Sequence, residues 1–83
     1  MKATAEISLY PLNADYIPPI DDFIKRLNTH AGLTVITNAT STQISGDYNL
    51  VMDVLKQEVG STFGRKEKFV VVVKLINAEL LQS

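Results

Sequence analysis

The chain has 83 residues, a formal net charge of −1, one histidine and no cysteine. That length fits one compact domain spanning residues 1–83; without cysteine there is no disulfide, thiol nucleophile or Cys/His zinc site. Near-neutral charge gives no electrostatic case for nucleic acid or an anionic membrane as partner.

No run approaches the ~20 apolar residues that span a bilayer. The opening Met1–Glu6 lacks the apolar core of a secretion signal, so a soluble cytoplasmic protein is expected. A domain this small buries only somewhat above ~60% of its unfolded surface, and association between copies is one usual remedy.

From Ala3 to Leu9 the residues alternate, with Ala3, Ala5, Ile7 and Leu9 on one face and Thr4, Glu6, Ser8 and Tyr10 on the other. This predicts a strand, which Pro11 ends. Leu12–Pro18 reads as a loop, and Pro19 suits the first turn of a helix. Asp21 and Asp22 are expected in that turn, where they complement its positive end. Ile20, Phe23, Ile24, Leu27 and Ala31 form the apolar stripe, with Lys25, Arg26 and Asn28 off it and Gly32 as terminator.

Leu33–Thr37 is short and β-branched, a second strand. Asn38-Ala39 is the expected turn, Thr40–Ser45 the third strand, Gly46 its break and Asp47 the cap of a second helix. Tyr48, Val51, Met52, Leu55 and Val59 would be that helix's apolar stripe, followed by a loop over Gly60–Lys66. Phe69–Ile76 is a last strand, apolar on both faces: Val70, Val72 and Ile76 on one, Phe69, Val71, Val73 and Leu75 on the other. Strands of that kind are buried on both sides, so a second subunit is expected to cover the face away from the helices.

The order βαββαβ defines an α+β, ferredoxin-like fold: a four-stranded antiparallel sheet with two helices on one face. The polar stretch Thr37–Tyr48 falls in its hairpin with no nucleophile–base pair beside it, which points to a binding module and away from an enzyme. Asn38, Thr40 and Thr42 supply a carboxamide and hydroxyls. If Ile44 faces the helices, the period of two puts Thr42 and Thr40 there too. The plainer reading makes Asn38 a turn residue and leaves the threonines bonded to backbone.

The opening Met-Lys-Ala-Thr-Ala-Glu-Ile-Ser-Leu-Tyr-Pro-Leu and the run from Thr37 through Leu55 resemble the YkoF-type thiamine-binding family over nearly the whole chain. Thr42 through Met52 is the strongest stretch, a strand threonine, a Gly-acidic junction and then Val-Met. The resemblance implies non-catalytic binding of thiamine or its hydroxymethylpyrimidine half, without a cofactor. It also implies homo-oligomers: dimers that extend the sheet and tetramers that stack sheets face to face. By position Thr42 matches a family hydroxyl, Asn38 lies in the family's hairpin, and Glu6 and Ser8 match polar first-strand positions. Where many relatives carry an acidic residue and an arginine after the last strand, this chain has Lys74-Leu75-Ile76-Asn77-Ala78. Relatives often continue into a further helical tail where this sequence stops, at Ser83.

Glu6, Ser8 and Tyr10 share one strand face, either as part of the ligand site or as a subunit contact. An aminopyrimidine offers ring-nitrogen acceptors, an amino donor and a flat apolar face, so its pocket needs donors, acceptors and an aromatic or aliphatic wall. His30 suits a helix C-terminus, Asp21 and Asp22 are adjacent and do not face one another, and the basic run at Arg65–Lys68 lacks a phosphate-loop motif. An RNA-binding sheet would need aromatics at Ser41, Gln43, Val71 and Val73. An acylphosphatase-like enzyme would need an arginine within residues 11–19. Two alternatives stay open: an ACT-like regulatory domain that binds amino acids, and a structural oligomerisation module with no small ligand.

Overall fold

The computed structural model describes residues 1–81. Its elements are β1 (Lys2–Pro11), α1 (Ile17–Leu27), β2 (Thr34–Thr37), β3 (Thr42–Asp47), α2 (Tyr48–Phe63) and β4 (Phe69–Ile76). The four strands form one antiparallel sheet in the order β2-β3-β1-β4. This is the ferredoxin-like arrangement expected from the element order. The core lies between sheet and helices, built from Ala5, Ile7 and Ile44 beneath Phe23, Leu27, Val51, Val54 and Leu55.

Register fixes which side chains face which layer. Ile7 stands opposite both Thr42 and Val73, and Ala5 opposite Ile44 and Leu75, so all six face the helices. Glu6, Ser8 and Tyr10 stand opposite Lys74, Val72 and Val70 on the open face. The last strand runs Phe69–Ile76 as expected, with Val70 and Val72 both near half exposure. Val73 and Leu75 are 41% and 47% exposed even on the helix side, because the helix layer does not reach the outer half of this edge strand.

Several boundaries differ from expectation. Helix α1 begins at Ile17, placing Pro18 and Pro19 in its first turn and moving Asp21 and Asp22 out of it. Asp22 instead accepts a hydrogen bond from Arg26 Nε, one turn on, at 3.0 Å. The helix ends at Leu27, so Ala31 is exposed beyond it. Gly32, at φ +85°, shapes the turn into β2, a conformation that favours glycine. Gly46 does not break β3 but lies within it. A Cβ there would meet Leu33 Cδ2 at 2.9 Å and the Gly32 carbonyl oxygen at 3.0 Å, so only a hydrogen fits where the α1–β2 connection crosses the strand.

Asp47 caps α2 as expected, accepting from the backbone N–H groups of Asn49 and Leu50. The helix then continues through Gly60 to Phe63. A glycine there lowers helix propensity by about 1 kcal/mol relative to alanine, too little to end a helix held by packing on both sides. Its buried stripe is Val51, Val54, Leu55, Glu58 and Thr62, while Met52 is exposed.

The open face is not wholly bare. Thr4 Oγ1 donates to the Ala78 carbonyl (2.7 Å), accepts the Leu80 N–H (3.0 Å) and lies 2.9 Å from Ser45 Oγ. The segment after β4 therefore folds back across one end of this face and buries Thr4 and Ser45 with their hydrogen bonds satisfied. This corrects the expectation that nothing within the chain covers that side. The remainder presents Tyr10, Ile36, Val70, Val72 and Ile76 to solvent.

Candidate functional site

A cavity of about 410 Å³ opens between α1 and the end of the sheet where β1 finishes and β2 turns into β3. Ile7 and Leu9 form its floor, and Ile20, Phe23 and Ile24 form one wall, with Tyr16 ahead of the helix. The opposite wall is the hairpin Thr37–Thr42. One side is thus hydrocarbon and aromatic, and the other carries hydroxyls and a carboxamide.

Thr42 is buried and faces the helices, as the alternation around Ile44 requires. Its Oγ1 lies 3.2 Å from that of Thr37, its partner across the hairpin. One hydroxyl donates to the other, so the pair keeps one proton to offer outward together with acceptor lone pairs.

Asn38 organises the turn. Its Oδ1 accepts the N–H groups of Thr40 and Ser41, both at 2.9 Å, and the Thr40 hydroxyl at 3.3 Å. Two backbone donors converge on one side-chain atom, so that atom must be the oxygen and not the nitrogen. With the oxygen saturated, the carboxamide can offer a bound molecule only the two protons on Nδ2. The turn reading of Asn38 is correct, and it sets the polarity of whatever else the residue does. Thr40 lies in the turn before β3, exposed, and its placement by strand alternation does not hold.

The six candidates divide by location. Asn38, Thr40, Thr42 and Tyr10 belong to the cavity lining, although Tyr10, half exposed at the end of β1, stands in the open-face row with Glu6 and Ser8 and borders the cavity from the sheet's edge. Glu6 and Ser8 lie behind the hairpin on the open face. Ser8 Oγ donates to the Thr40 carbonyl (3.2 Å), while Glu6 accepts from Ser41 Oγ (3.2 Å) and has Lys74 Nζ at 3.7 Å. Those two residues brace the turn from outside the cavity. Tyr16, Ile20, Phe23, Ile24 and Thr37 also line it, and sequence reading did not single them out as site residues. Thr37 was within reach, since hairpin pairing places it opposite Thr42.

A second polar cluster joins the helices. Glu58, only 4% exposed, accepts from Arg26 Nη1 through Oε1 (2.6 Å), and its Oε2 lies 2.5 Å from His30 Nε2. Arg26 also donates to the Glu58 carbonyl (3.0 Å) and to Thr62 Oγ1 (2.6 Å). Burial pushes the Glu58 carboxyl upward, but the hydrogen bonds from His30 and Arg26 and their charges outweigh it and hold the group below its ordinary range. Arg26, placed off the apolar stripe by the sequence pattern, and His30, read there as suiting a helix C-terminus, are both members of this clamp. Among the described residues no three His, Cys, Asp or Glu side chains converge as a metal-binding group. No helix there is long and apolar enough to cross a membrane.

The architecture is that of a ferredoxin-like α+β domain with a cleft between its first helix and its β2–β3 hairpin. The chain belongs to the YKOF-related family, whose profile matches residues 2–77. Among solved structures, a protein of Streptococcus pneumoniae superposes with a TM-score of 0.87 at 24% identity, covering 96% of this chain and 90% of that one. A Thermotoga maritima protein provisionally named for thiamine biosynthesis or salvage gives 0.79 at 22% identity, over 90% of this chain and 82% of its own. A hypothetical protein of Methanocaldococcus jannascii gives 0.79 at 23%, over 98% and 84%. At these identities the likeness is one of fold. No curated protein matches the chain in sequence.

Proposed function

We propose that this protein binds thiamine or its hydroxymethylpyrimidine moiety without transforming it, as a cytoplasmic homo-oligomer, dimer or tetramer, with the ligand in the cavity between α1 and the hairpin. The observation that carries the reading is the two-sided lining: an apolar wall with Phe23, facing a hairpin of hydroxyls and one carboxamide. A volume of about 410 Å³ falls in the lower part of the ordinary small-ligand range of about 300–1,000 Å³. Membership of the YKOF-related family and the thiamine-related name of the Thermotoga fold relative support the choice of ligand.

In this reading Phe23 and the isoleucines hold the flat face of the pyrimidine. The Nδ2 protons of Asn38 meet a ring nitrogen or the hydroxymethyl oxygen, and the Thr37–Thr42 pair meets the exocyclic amine. Thr40 lies at the rim and Tyr10 at the mouth, while Glu6 and Ser8 position the turn. Among the described residues the lining is hydrocarbon, aromatic, hydroxyl and carboxamide, groups suited to holding a ligand. The apolar open-face residues Val70 and Val72 support sheet-to-sheet contact between copies. Titration calorimetry with thiamine, its phosphates, hydroxymethylpyrimidine and several amino acids tests the reading. Heat from thiamine or hydroxymethylpyrimidine supports it; heat from amino acids alone replaces it with the ACT-like one, and no heat from any of them leaves a structural module.

A further inference from the structure

We infer that the cavity selects its ligand by charge, accepting neutral or cationic flat molecules and rejecting their phosphate esters. The inference rests on the cavity being the ligand site and goes further by setting the class of molecule it admits.

Three observations carry it. Among the described residues no Lys, Arg or His lines the cavity, so an anion entering it finds no countercharge from the lining. The chain that builds the helical wall, from Pro11 to Ile24, carries Asp15, Asp21 and Asp22 and no cation, and the hairpin Thr37–Thr42 is uncharged. Lys25 and Arg26 follow only a full turn or more into α1, and Arg26 is engaged by Asp22, Glu58 and Thr62.

The third observation concerns the start of α1. A helix N-terminus is ordinarily where a phosphate would settle, on free backbone N–H groups and the positive end of the dipole. Here Tyr16 is the N-cap, and Pro18 and Pro19 occupy the first turn, so two of the orphan donors do not exist. The helix that walls the cavity therefore begins without the amide cradle an anion needs. No residue of the basic run Arg65–Lys68 is in the lining, but Lys68 adjoins it: its carbonyl accepts the Leu12 N–H at 2.9 Å, next to the lining residue Pro11.

Desolvating a phosphate without a cation or a set of N–H donors is strongly unfavourable. A thiazolium carries the opposite sign, which the ring faces of the lining aromatics favour. The charge rule should hold whether or not the natural ligand is a thiamine derivative.

The test is competition calorimetry with matched pairs: thiamine against thiamine monophosphate and diphosphate, and hydroxymethylpyrimidine against its phosphate. A fragment arm adds 4-aminopyrimidine against pyrimidine-4-carboxylate, followed by NMR at the Thr37 and Thr42 methyl groups. The uncharged or cationic member of each pair should bind at least about tenfold more tightly. Phosphate esters that bind as tightly as their parents would overturn the charge rule while leaving the thiamine reading intact. Silence from thiamine and hydroxymethylpyrimidine, with the neutral fragment still favoured over the carboxylate, would overturn the thiamine reading and keep the charge rule. Equal response to both fragments at the threonine methyls, or response to neither, would also overturn the rule. Lys68→Ala separates a contribution from the neighbouring basic run: if phosphate esters bind tightly to the parent and weakly to this variant, that run reaches the cavity and the inference fails.

Discussion

Replacing Glu58 with alanine removes the acceptor at the centre of the interhelical clamp. In the parent its two oxygens meet Arg26 Nη1 at 2.6 Å and His30 Nε2 at 2.5 Å, in a position 4% exposed. Breaking a buried ion pair from one side costs about 3–5 kcal/mol when the remaining charge is stranded. Arg26 is not wholly stranded: it keeps Asp22 Oδ2, Thr62 Oγ1 and the residue-58 carbonyl, and 23% of its side chain stays exposed. The expected loss is therefore nearer about 2–3 kcal/mol. Against a total of about 4–12 kcal/mol for a domain of this length, that is a large fraction, and it should lower Tm by roughly 8–24 °C. Urea unfolding followed by circular dichroism measures it, with Glu58→Gln as a milder variant that keeps the shape. The pH dependence carries a sign. Because the folded-state pKa is below the ordinary value of 4.5, the charged Glu58 stabilises the fold above that value, and the contribution disappears as pH falls through the folded pKa. The gap between parent and Glu58→Gln should therefore stay open from neutral pH down to the carboxylate range and close only in acid. A Glu58→Ala protein within about 0.5 kcal/mol of the parent at pH 7 would refute the clamp as a stabilising element.

Thr42→Val keeps the shape and removes one hydroxyl of the Thr37–Thr42 pair, so circular dichroism should be unchanged while calorimetry shows ligand binding weaker by about 1–2 kcal/mol. Asn38→Asp retains the oxygen that accepts the Thr40 and Ser41 N–H groups but deletes the Nδ2 protons. Unfolding should hardly move, whereas affinity for the aminopyrimidine falls by at least a similar amount, about 1–2 kcal/mol; unchanged affinity in both variants would move the ligand away from the hairpin. Val72→Asp sits half exposed in a single chain and should leave the protomer folded while burying an unpaired charge in any sheet-to-sheet contact. Sedimentation should then show a smaller species than the parent, and a parent that is already a stable monomer would remove that assembly.

The fold was legible where local pattern and tertiary environment agree. The continuous β-branched run at Phe69–Ile76 marks a strand whatever it packs against, and Asp47 marks a helix start because its carboxylate serves backbone donors two and three residues on. Legibility failed where a residue's meaning depends on something distant in sequence. Gly46 looks like a breaker, yet its missing side chain makes room for Leu33 and the Gly32 carbonyl. Gly60 looks like a stop, but buried neighbours on either side, Leu55, Glu58 and Thr62, carry the helix through it. Thr42 and Asn38 could be placed because the hairpin is a local object; Tyr16, Ile20 and Phe23 enter the same cavity only through the packing of α1 on the sheet, which no local pattern specifies.

The two polar clusters are connected through a single helix. On α1 the cavity-facing positions Ile20, Phe23 and Ile24 and the clamp positions Asp22 and Arg26 follow separate i,i+3/i+4 rows, so they occupy different sides of one cylinder. The Arg26 guanidinium lies 5.7 Å from the centroid of the Phe23 ring, which makes Phe23 both a cavity wall and the cover of the clamp. Arg26 is held by three groups on α2 (the Glu58 carboxylate, the Glu58 carbonyl and Thr62 Oγ1), so rotating α1 about its axis would break several short hydrogen bonds at once. The burial of an arginine and a glutamate between helices, costly by itself in desolvation, thus has a geometric consequence that apolar packing would specify less sharply: it sets the rotation of the helix that forms one side of the cavity. The opposite side is set in the same manner from the open face, where Glu6 and Ser8 hold Ser41 and the Thr40 carbonyl, and Asn38 gathers the turn. Each wall of the cavity is thus positioned in part by polar groups that lie outside it, Arg26 and Glu58 on one side and Glu6 and Ser8 on the other.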